Sequence, residues 1–355
     1  MKQFCRSSFT LRCIVTLFAV STMALALPAT GGSAGSPELW VDADNFIRAE
    51  SDLHLQRLVK QGAFGKLKPE RESAAIDGQI GVRGDRATLD AAAVFDLDAA
   101  PVTFTLPDPA GRYLSMQVVS EDHFTIAVAH APGRFTFTRE QVGTRYLCVI
   151  VRAQADLERK ADLKEARRLL RAIRVEQAKS GKFEVRRWEK ASQDRMRGEL
   201  ADLAARGGLS EMFGPRTEVD PLSHRVGTAI GWGSAPRSAI FSETVTPASN
   251  DGQTVHFLTV RKVPVDGFWS LTVDNSRKTV EADAHKPDSL NSRTAKPNRD
   301  GSFTVQFGGC QERTSNCLPI TPGWSSTVRL YRPGAAVLDG SWKFPIPKPV
   351  SAPAS

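Results

Sequence analysis

The chain lacks the short local signatures by which an enzyme's chemistry is usually read. Its six histidines, His54, His123, His130, His224, His256 and His285, are dispersed, and no His-Glu-x-x-His pair sets two of them on one helix face. No second cysteine pair or matching histidine stands at zinc spacing, so neither a metal site nor any cofactor is expected. The glycine-rich segment 227–233, GTAIGWG, has no lysine to hold phosphates. A G-x-S-x-G string at 31–35 sits in a small-residue linker, not between the strand and helix that a nucleophile elbow needs. A Ser-His-Asp triad stays open, since its members need not be near in sequence, but no serine stands out. The one tight acidic–histidine string, Glu121-Asp122-His123, reads as a loop at a strand start.

Long apolar runs are equally scarce. The only one, residues 13–27, follows Lys2, Arg6 and Arg12 and ends among small residues at Ala24 and Ala26. That order is expected of a secretory signal peptide over 1–26, followed by a linker over 27–40, and the run is short for a membrane span. Nothing later approaches the ~18 apolar residues of a second span. The expectation is a secreted or periplasmic protein with no stable transmembrane segment after cleavage.

Cysteines are few, and two of the five, Cys5 and Cys13, lie in the leader. Cys310 and Cys317 flank six residues in GGCQERTSNCLP and, in an oxidising compartment, read as a loop disulfide. Cys148, inside the apolar run 146–151, reads as a small buried hydrophobe. Formal net charge is +8, of which Lys2, Arg6 and Arg12 supply three, leaving +5 for the remainder. Much of the surplus lies in 154–208, where Arg167, Arg168, Arg171 and Arg174 could meet phosphates or an anionic membrane. Acidic residues are interspersed there and no aromatics alternate with the bases, so a solvated, ion-paired helix surface fits better. A nucleic-acid partner is not expected.

What is present is mainly β-pattern. Residues 40–75 read as helix, with Leu53, Leu55, Leu58 and Val59 apolar and a stop at Pro69. From 81 to 152 the period is two: Val102, Phe104 and Leu106 alternate with threonines, and PDPAG at 107–111 supplies turn chemistry. Helix returns over 155–206. Leu163, Ala166, Leu170 and Ile173 share a face, and a second helix is expected from Val185 through Trp188, Met196, Leu200 and Leu203, closed by Gly207-Gly208. After Pro221 the pattern is β to the end. The resulting fold class is mainly β with a helical insertion (α+β), as two antiparallel β-sandwich or jelly-roll-like domains. Their expected spans are 41–152 and 209–355, with a charged helical bridge over 153–208.

Pleat geometry sorts VPVDGFWSLTVDN, 263–275, into two faces. Trp269, Leu271 and Val273 point one way, with Val305, Phe307, Val328 and Leu330 as matching apolar positions on neighbouring strands. Phe268, Ser270, Thr272 and Asp274 point the other way, and would share a surface with Arg329 and Tyr331. Trp269 reads more readily as core than as a ligand platform. The opposite face is either solvated or, if covered, a cleft.

These strings, with DGSFTVQ, NCLPITPG and STVRLYRPGAAVLDGSWKFP, resemble the family catalogued as domain of unknown function 1214, over about 263–345. Upstream, PVTFTLPDPAGRYLSMQVV resembles the partner family, domain of unknown function 1254, over about 81–152. The resemblance implies an exported two-domain β-rich protein and no defined chemistry. Asp85, Ala87, Asp90, Asp274 and Cys317 stand where the families usually carry Asn, Asp, Tyr or Trp. The leading functional expectation is a module that binds a small molecule, glycan or envelope component. Its candidate ligand residues are Arg112, Trp269, Ser270, Thr272, Arg329 and Tyr331. One alternative is a hydrolase or lyase in the inter-domain cleft, with Asp108, Arg112, Asp266, Arg329, Tyr331 and Asp339 as candidates. A purely structural envelope protein is the other alternative.

Overall fold

The computed structural model describes residues 37–69, 86–274, 288–311 and 314–350; the expected signal peptide over 1–26 and Asp85 lie outside them. Helix α1 (Phe46–Lys60) turns Phe46, Ala49, Leu55 and Leu58 inward. It ends well before Pro69, because Gly62 takes a left-handed conformation at φ +84°. Pro69 belongs instead to the short edge strand β1 (Lys68–Pro69), where a missing N–H is tolerated.

The strands that follow are β2 (Thr88–Asp96), β3 (Val102–Leu106), β4 (Leu114–Ser120), β5 (Thr125–His130) and β6 (Gly133–Phe137). After the single turn α2 (Arg139–Val142) come β7 (Tyr146–Gln154), α3 (Lys160–Arg171) and β8 (Arg174–Gln177). They form an antiparallel five-stranded sheet, β1-β2-β7-β4-β5, and a three-stranded sheet, β6-β3-β8. Phe95, Phe104, Val149 and Phe137 interlock between the two sheets, with Leu163, Ala166 and Leu170 of α3 closing the core. On the far face of the larger sheet, Cys148 and Ile150 pack with Leu55 and Leu58 of α1. Strand β7 is buried along all nine residues because both its faces are covered, which is why its sequence is a continuous apolar run.

The 155–206 stretch is less helical than its pattern suggests. Helix α3 stops at Arg171, and Arg174–Gln177 pairs with β3 as a strand. Val185 and Trp188 precede the second helix, which is α4 (Lys190–Ala205), capped by the Glu189 carboxylate on the Ala191 and Ser192 N–H groups. Residues 178–189 form an extended strap, fixed where Leu39 exchanges backbone hydrogen bonds with Arg187 and Glu189. Gly207 and Gly208, both at positive φ, close α4 as expected.

Pro221 opens a helix rather than a β region. In α5 (Pro221–Gly231) the Asp220 side chain accepts the Ser223 N–H, and proline at the first helical position loses no hydrogen bond. The β pattern resumes with β9 (Ile240–Val245), β10 (His256–Val260), β11 (Trp269–Asp274), β12 (Ser289–Asn291), β13 (Phe303–Phe307), β14 (Cys317–Leu318) and β15 (Ser325–Tyr331). The turn α6 (Ala335–Leu338) and β16 (Lys348–Pro349) complete the chain.

Two four-stranded sheets result, β14-β13-β10-β16 and β12-β11-β15-β9, antiparallel except for the β13–β14 pair. Trp269, Leu271, Val305, Phe307, Trp324, Val328 and Leu330 fill the space between them. Cys310 and Cys317 are joined in a disulfide, with Cα atoms 5.6 Å apart. Among the described residues no helix is long and apolar enough to cross a membrane.

Candidate functional site

The face of β11 and β15 left open by the sequence is covered. Ser270 pairs with Arg329 and Thr272 with Thr327, and all four side chains are buried. Their cover includes the N-terminal sheet: Tyr113, at the end of the PDPAGRY turn, places its ring 5.4 Å from Phe268 and 5.2 Å from Tyr331, edge to face. Phe268 and Tyr331 stack at 4.1 Å, and Ala87 and Ile240 complete the cluster. Gly267 is forced by this closeness, since a Cβ there would lie 2.6 Å from the Tyr331 carbonyl oxygen. The two family-like strings therefore meet at one aromatic junction.

The six candidate ligand residues divide accordingly. Ser270, Thr272, Arg329 and Tyr331 share the buried junction face. Trp269 points into the C-terminal core, against Phe303 and Phe344. Arg112 is committed to Asp162 through two charge-assisted bonds of 2.9 and 2.7 Å, and it also donates to the Gln154 carbonyl. Of the alternative's carboxylates, Asp108 and Asp339 accept backbone N–H groups two residues on, as turn formers. Asp266 is exposed and reaches Arg332 at 3.5 Å. The substituted family positions Ala87, Asp90, Asp274 and Cys317 have no common site: Asp90 lies 3.7 Å from Arg152, Asp274 takes a long bond from Thr327, and Cys317 is in the disulfide.

An open cleft of roughly 360 Å³ lies elsewhere, where α1, the β4–β5 turn, the start of β7 and the 178–189 strap converge. Helix α1 contributes Arg48 and Asp52, one turn apart and hence on one face. The Glu121-Asp122-His123 string forms the β4–β5 turn and divides its labour. The Arg48 guanidinium donates to Glu121 (3.3 Å) and to Asp122. His123 turns inward at φ +62°, accepting the Gly233 N–H at Nε2 while Nδ1 meets the Thr228 hydroxyl. Its ring stands in a column running His54, Trp232, His123, His224 and Phe124, each stacked on the next. That column, with Trp232 donating to Ser51, holds α1 against α5 and so fixes Arg48 and Asp52.

The remaining walls are equally ordered. Glu121 accepts the Tyr146 N–H at 2.9 Å, and its own N–H donates to Thr144. Tyr146 Oη accepts the Glu184 N–H and donates to the Lys182 carbonyl, tying the strap to the sheet. Arg145 grips the buried Asp96 with bonds of 3.1 and 2.9 Å. The chain has only three tyrosines; Tyr113 and Tyr331 form the junction, and Tyr146 lines the cleft.

Electrostatics single out Asp52. Its side chain is 4% exposed; Oδ2 accepts the Trp188 indole N–H at 2.8 Å, and Oδ1 is buried with no hydrogen-bond partner. Burial raises its pKa to about 6 and Glu121 adds to the rise, against the Trp188 bond and the Arg48 and Arg186 charges. Glu50, two residues back along α1, goes the other way. Burial would raise it, but bonds from His54 and Arg197 outweigh that and hold it at about 2. Burial, reinforced by His224 and His54, keeps His123 neutral, well below the usual histidine range. Among the described residues no group of three or more His, Cys, Asp or Glu side chains is arranged to hold a metal ion.

Comparison with known proteins places the two β regions. Residues 64–177 match the family model described as Protein of unknown function (DUF1254), and residues 243–335 the one described as Protein of unknown function (DUF1214). The chain thus carries a match to each family, in that order. The crystal structure of the VPA0106 protein from Vibrio parahaemolyticus is similar over 87% of this chain and 98% of that one, with TM-score 0.66 and 17% identity. A putative uncharacterized protein from Burkholderia cenocepacia aligns over 87% of each chain, with TM-score 0.47 and 12% identity. At such identity the first likeness establishes the fold alone. No curated protein matches the chain.

Proposed function

We propose that this protein is an exported module that binds a small anionic molecule, and that the cleft beside Asp52 is its site. The observation that carries this reading is the unspent hydrogen-bonding capacity there. Arg186 lines the cleft and makes no hydrogen bond or ion pair with any described residue, while Arg48 Nε and Asp52 Oδ1 are buried without partners. A buried polar atom left unpaired costs about 1–3 kcal/mol, so a ligand or ordered water that satisfies it gains that much. The cleft volume suits a monosaccharide-sized molecule. The leader-like first 26 residues and the disulfide support an oxidising, extracytoplasmic location.

The test is a thermal-shift and calorimetric screen of the purified protein against sugar acids, simple carboxylates, phosphates and neutral sugars. A ligand at 100 times its Kd should stabilise by about 2.7 kcal/mol. Arg186→Gln should abolish the effect. The reading is lost if neutral sugars do as well as anions, or if the variant binds like the wild type.

A second reading, a hydrolase or lyase, is favoured by one specific feature. Asp52, raised to about 6 by burial, shares the cleft with Glu121, whose carboxylate is engaged by Arg48 and the Tyr146 N–H. A carboxyl raised to about 6 beside an engaged carboxylate is an acid–base arrangement. Turnover lost in Asp52→Asn while binding is retained would favour it over the module.

A further inference from the structure

The cleft's charges are mostly committed. Arg48 is paired with Glu121 and Asp122, Arg139 with Asp98, and Arg145 with Asp96 and Glu184. Among the described residues, Arg186 alone of the four arginines has no carboxylate bound to it, although it is near enough to Asp52 to oppose that group's raised pKa. One uncommitted cation among carboxylates matches one negative charge; a phosphate dianion would bring a second with nothing to meet it. Seating an anion on Arg186 also sets it near Asp52 and Glu121. Carboxylates crowded in one cleft disfavour one another's charge, and the one with least support takes a proton. Glu121 has Arg48 and the Tyr146 N–H to hold its charge. Asp52 has one indole N–H and a buried, unpartnered oxygen.

We propose that the cleft's ligand is a monocarboxylate, held at Arg186, and that binding takes up one proton at Asp52. This rests on the anion-site reading above and adds the ligand's class and its proton. No bond is made or broken: the proton comes from solvent and stays on the Asp52 carboxyl while the ligand is bound. The charged and titratable groups that line the cleft with Asp52 are Arg48 of α1, Glu121 of the β4–β5 turn, Arg139 of α2, Arg145 and Tyr146 at the start of β7, and Glu184 and Arg186 of the strap. Of these carboxyls, burial raises Asp52, whereas the Lys182 bond lowers Glu184.

The experiment is calorimetry of the full protein with glucuronate as the monocarboxylate, methyl glucoside as its neutral counterpart and glucose 6-phosphate as the dianion, from pH 5 to pH 8. Glucuronate affinity should fall about tenfold per pH unit above pH 6 and level off below it, the slope of one linked proton. Titrations in two buffers of different ionisation enthalpy should register uptake of about one proton at pH 7.5. In Asp52→Asn, a neutral side chain that keeps an oxygen for Trp188, glucuronate should bind with a flat profile and at pH 7.5 more tightly than to wild type. Glucuronate binding with no pH dependence, or a dependence that persists in Asp52→Asn, overturns the proton linkage alone. Glucose 6-phosphate binding more tightly than glucuronate overturns the monocarboxylate assignment. If none of the three binds at pH 5.5, the anion-site reading falls with it.

Discussion

The junction between the two β regions and the cleft beside Asp52 are both rich in arginine, carboxylate and tyrosine, yet they differ in where those groups spend their interactions. At the junction Arg112 is locked onto Asp162, Tyr113 is wedged between Phe268 and Tyr331, and the polar strand face bearing Ser270 and Arg329 is shut from solvent. In the cleft Arg186 is exposed with no partner among the described residues, and a buried carboxyl keeps one oxygen unpaired there. The contrast separates two uses of the same residue types. The junction too has atoms unpaired among the described residues, Tyr113 Oη and Thr272 Oγ1, but they are sealed among rings and strands, whereas Arg48 and Asp52 line an open cleft where something else can reach them. The strings that make the family resemblance strongest belong to the first use.

The largest effect that would test this contrast is at the Arg112–Asp162 ion pair, which lies within the first β region next to Tyr113. Asp162→Ala leaves the Arg112 guanidinium buried without its carboxylate, which should cost about 3–5 kcal/mol in urea unfolding. The cleft should be untouched, so glucuronate binding at a temperature where the variant is folded should match wild type. A cost below ~1 kcal/mol would show that Arg112 finds another partner and that the junction is looser than its geometry suggests.

Tyr113→Ala comes next. Removing a side chain that is 8% exposed from a three-ring cluster should cost about 3 kcal/mol, with Tyr113→Phe close to neutral because the ring supplies the packing. If Tyr113→Phe instead costs as much as alanine, the hydroxyl matters more than the ring, and the junction deserves a ligand screen of its own.

Asp52→Asn should move stability the other way. The wild-type carboxyl is raised from 3.8 to about 6 by burial, so between those values the folded state holds more protons than the unfolded chain. Stability therefore falls as pH rises through that window and stays lower above it. The asparagine variant removes the penalty: about 1–2 kcal/mol more stable at pH 7.5 and indistinguishable at pH 3.5. Equal stabilities at pH 7.5 would mean Asp52 is better solvated than its burial implies.

The smallest expected change is Arg186→Gln. An exposed side chain with no partner should alter stability by less than ~0.5 kcal/mol while removing anion binding. A stability loss comparable to that of Asp162→Ala would put Arg186 among the structural arginines and erase the difference between the two regions.

Legibility in the sequence followed the range of the interactions. Alternation marked Val102–Leu106, Phe303–Phe307 and the Trp269 strand correctly, because a strand's face is set by its own residues. Where a local signal had two meanings, the neighbours chose. Arg174–Gln177 continued a helical pattern but found β3 to pair with, and Pro221 looked like an end until Asp220 capped the helix it begins. The cleft had one visible trace, the Glu121-Asp122-His123 string, which is indistinguishable in sequence from any polar turn.

By itself, then, the sequence determined the two β regions, their order, the disulfide pair and which side of the Trp269 strand is apolar, since each depends on neighbours in the chain. The tertiary structure alone decided that the polar side of that strand is covered, and that residues as distant as Asp52, Glu121, Tyr146 and Arg186 share one cleft. Burial and unpaired hydrogen bonds are properties of surroundings, and those exist only once the chain has closed around them.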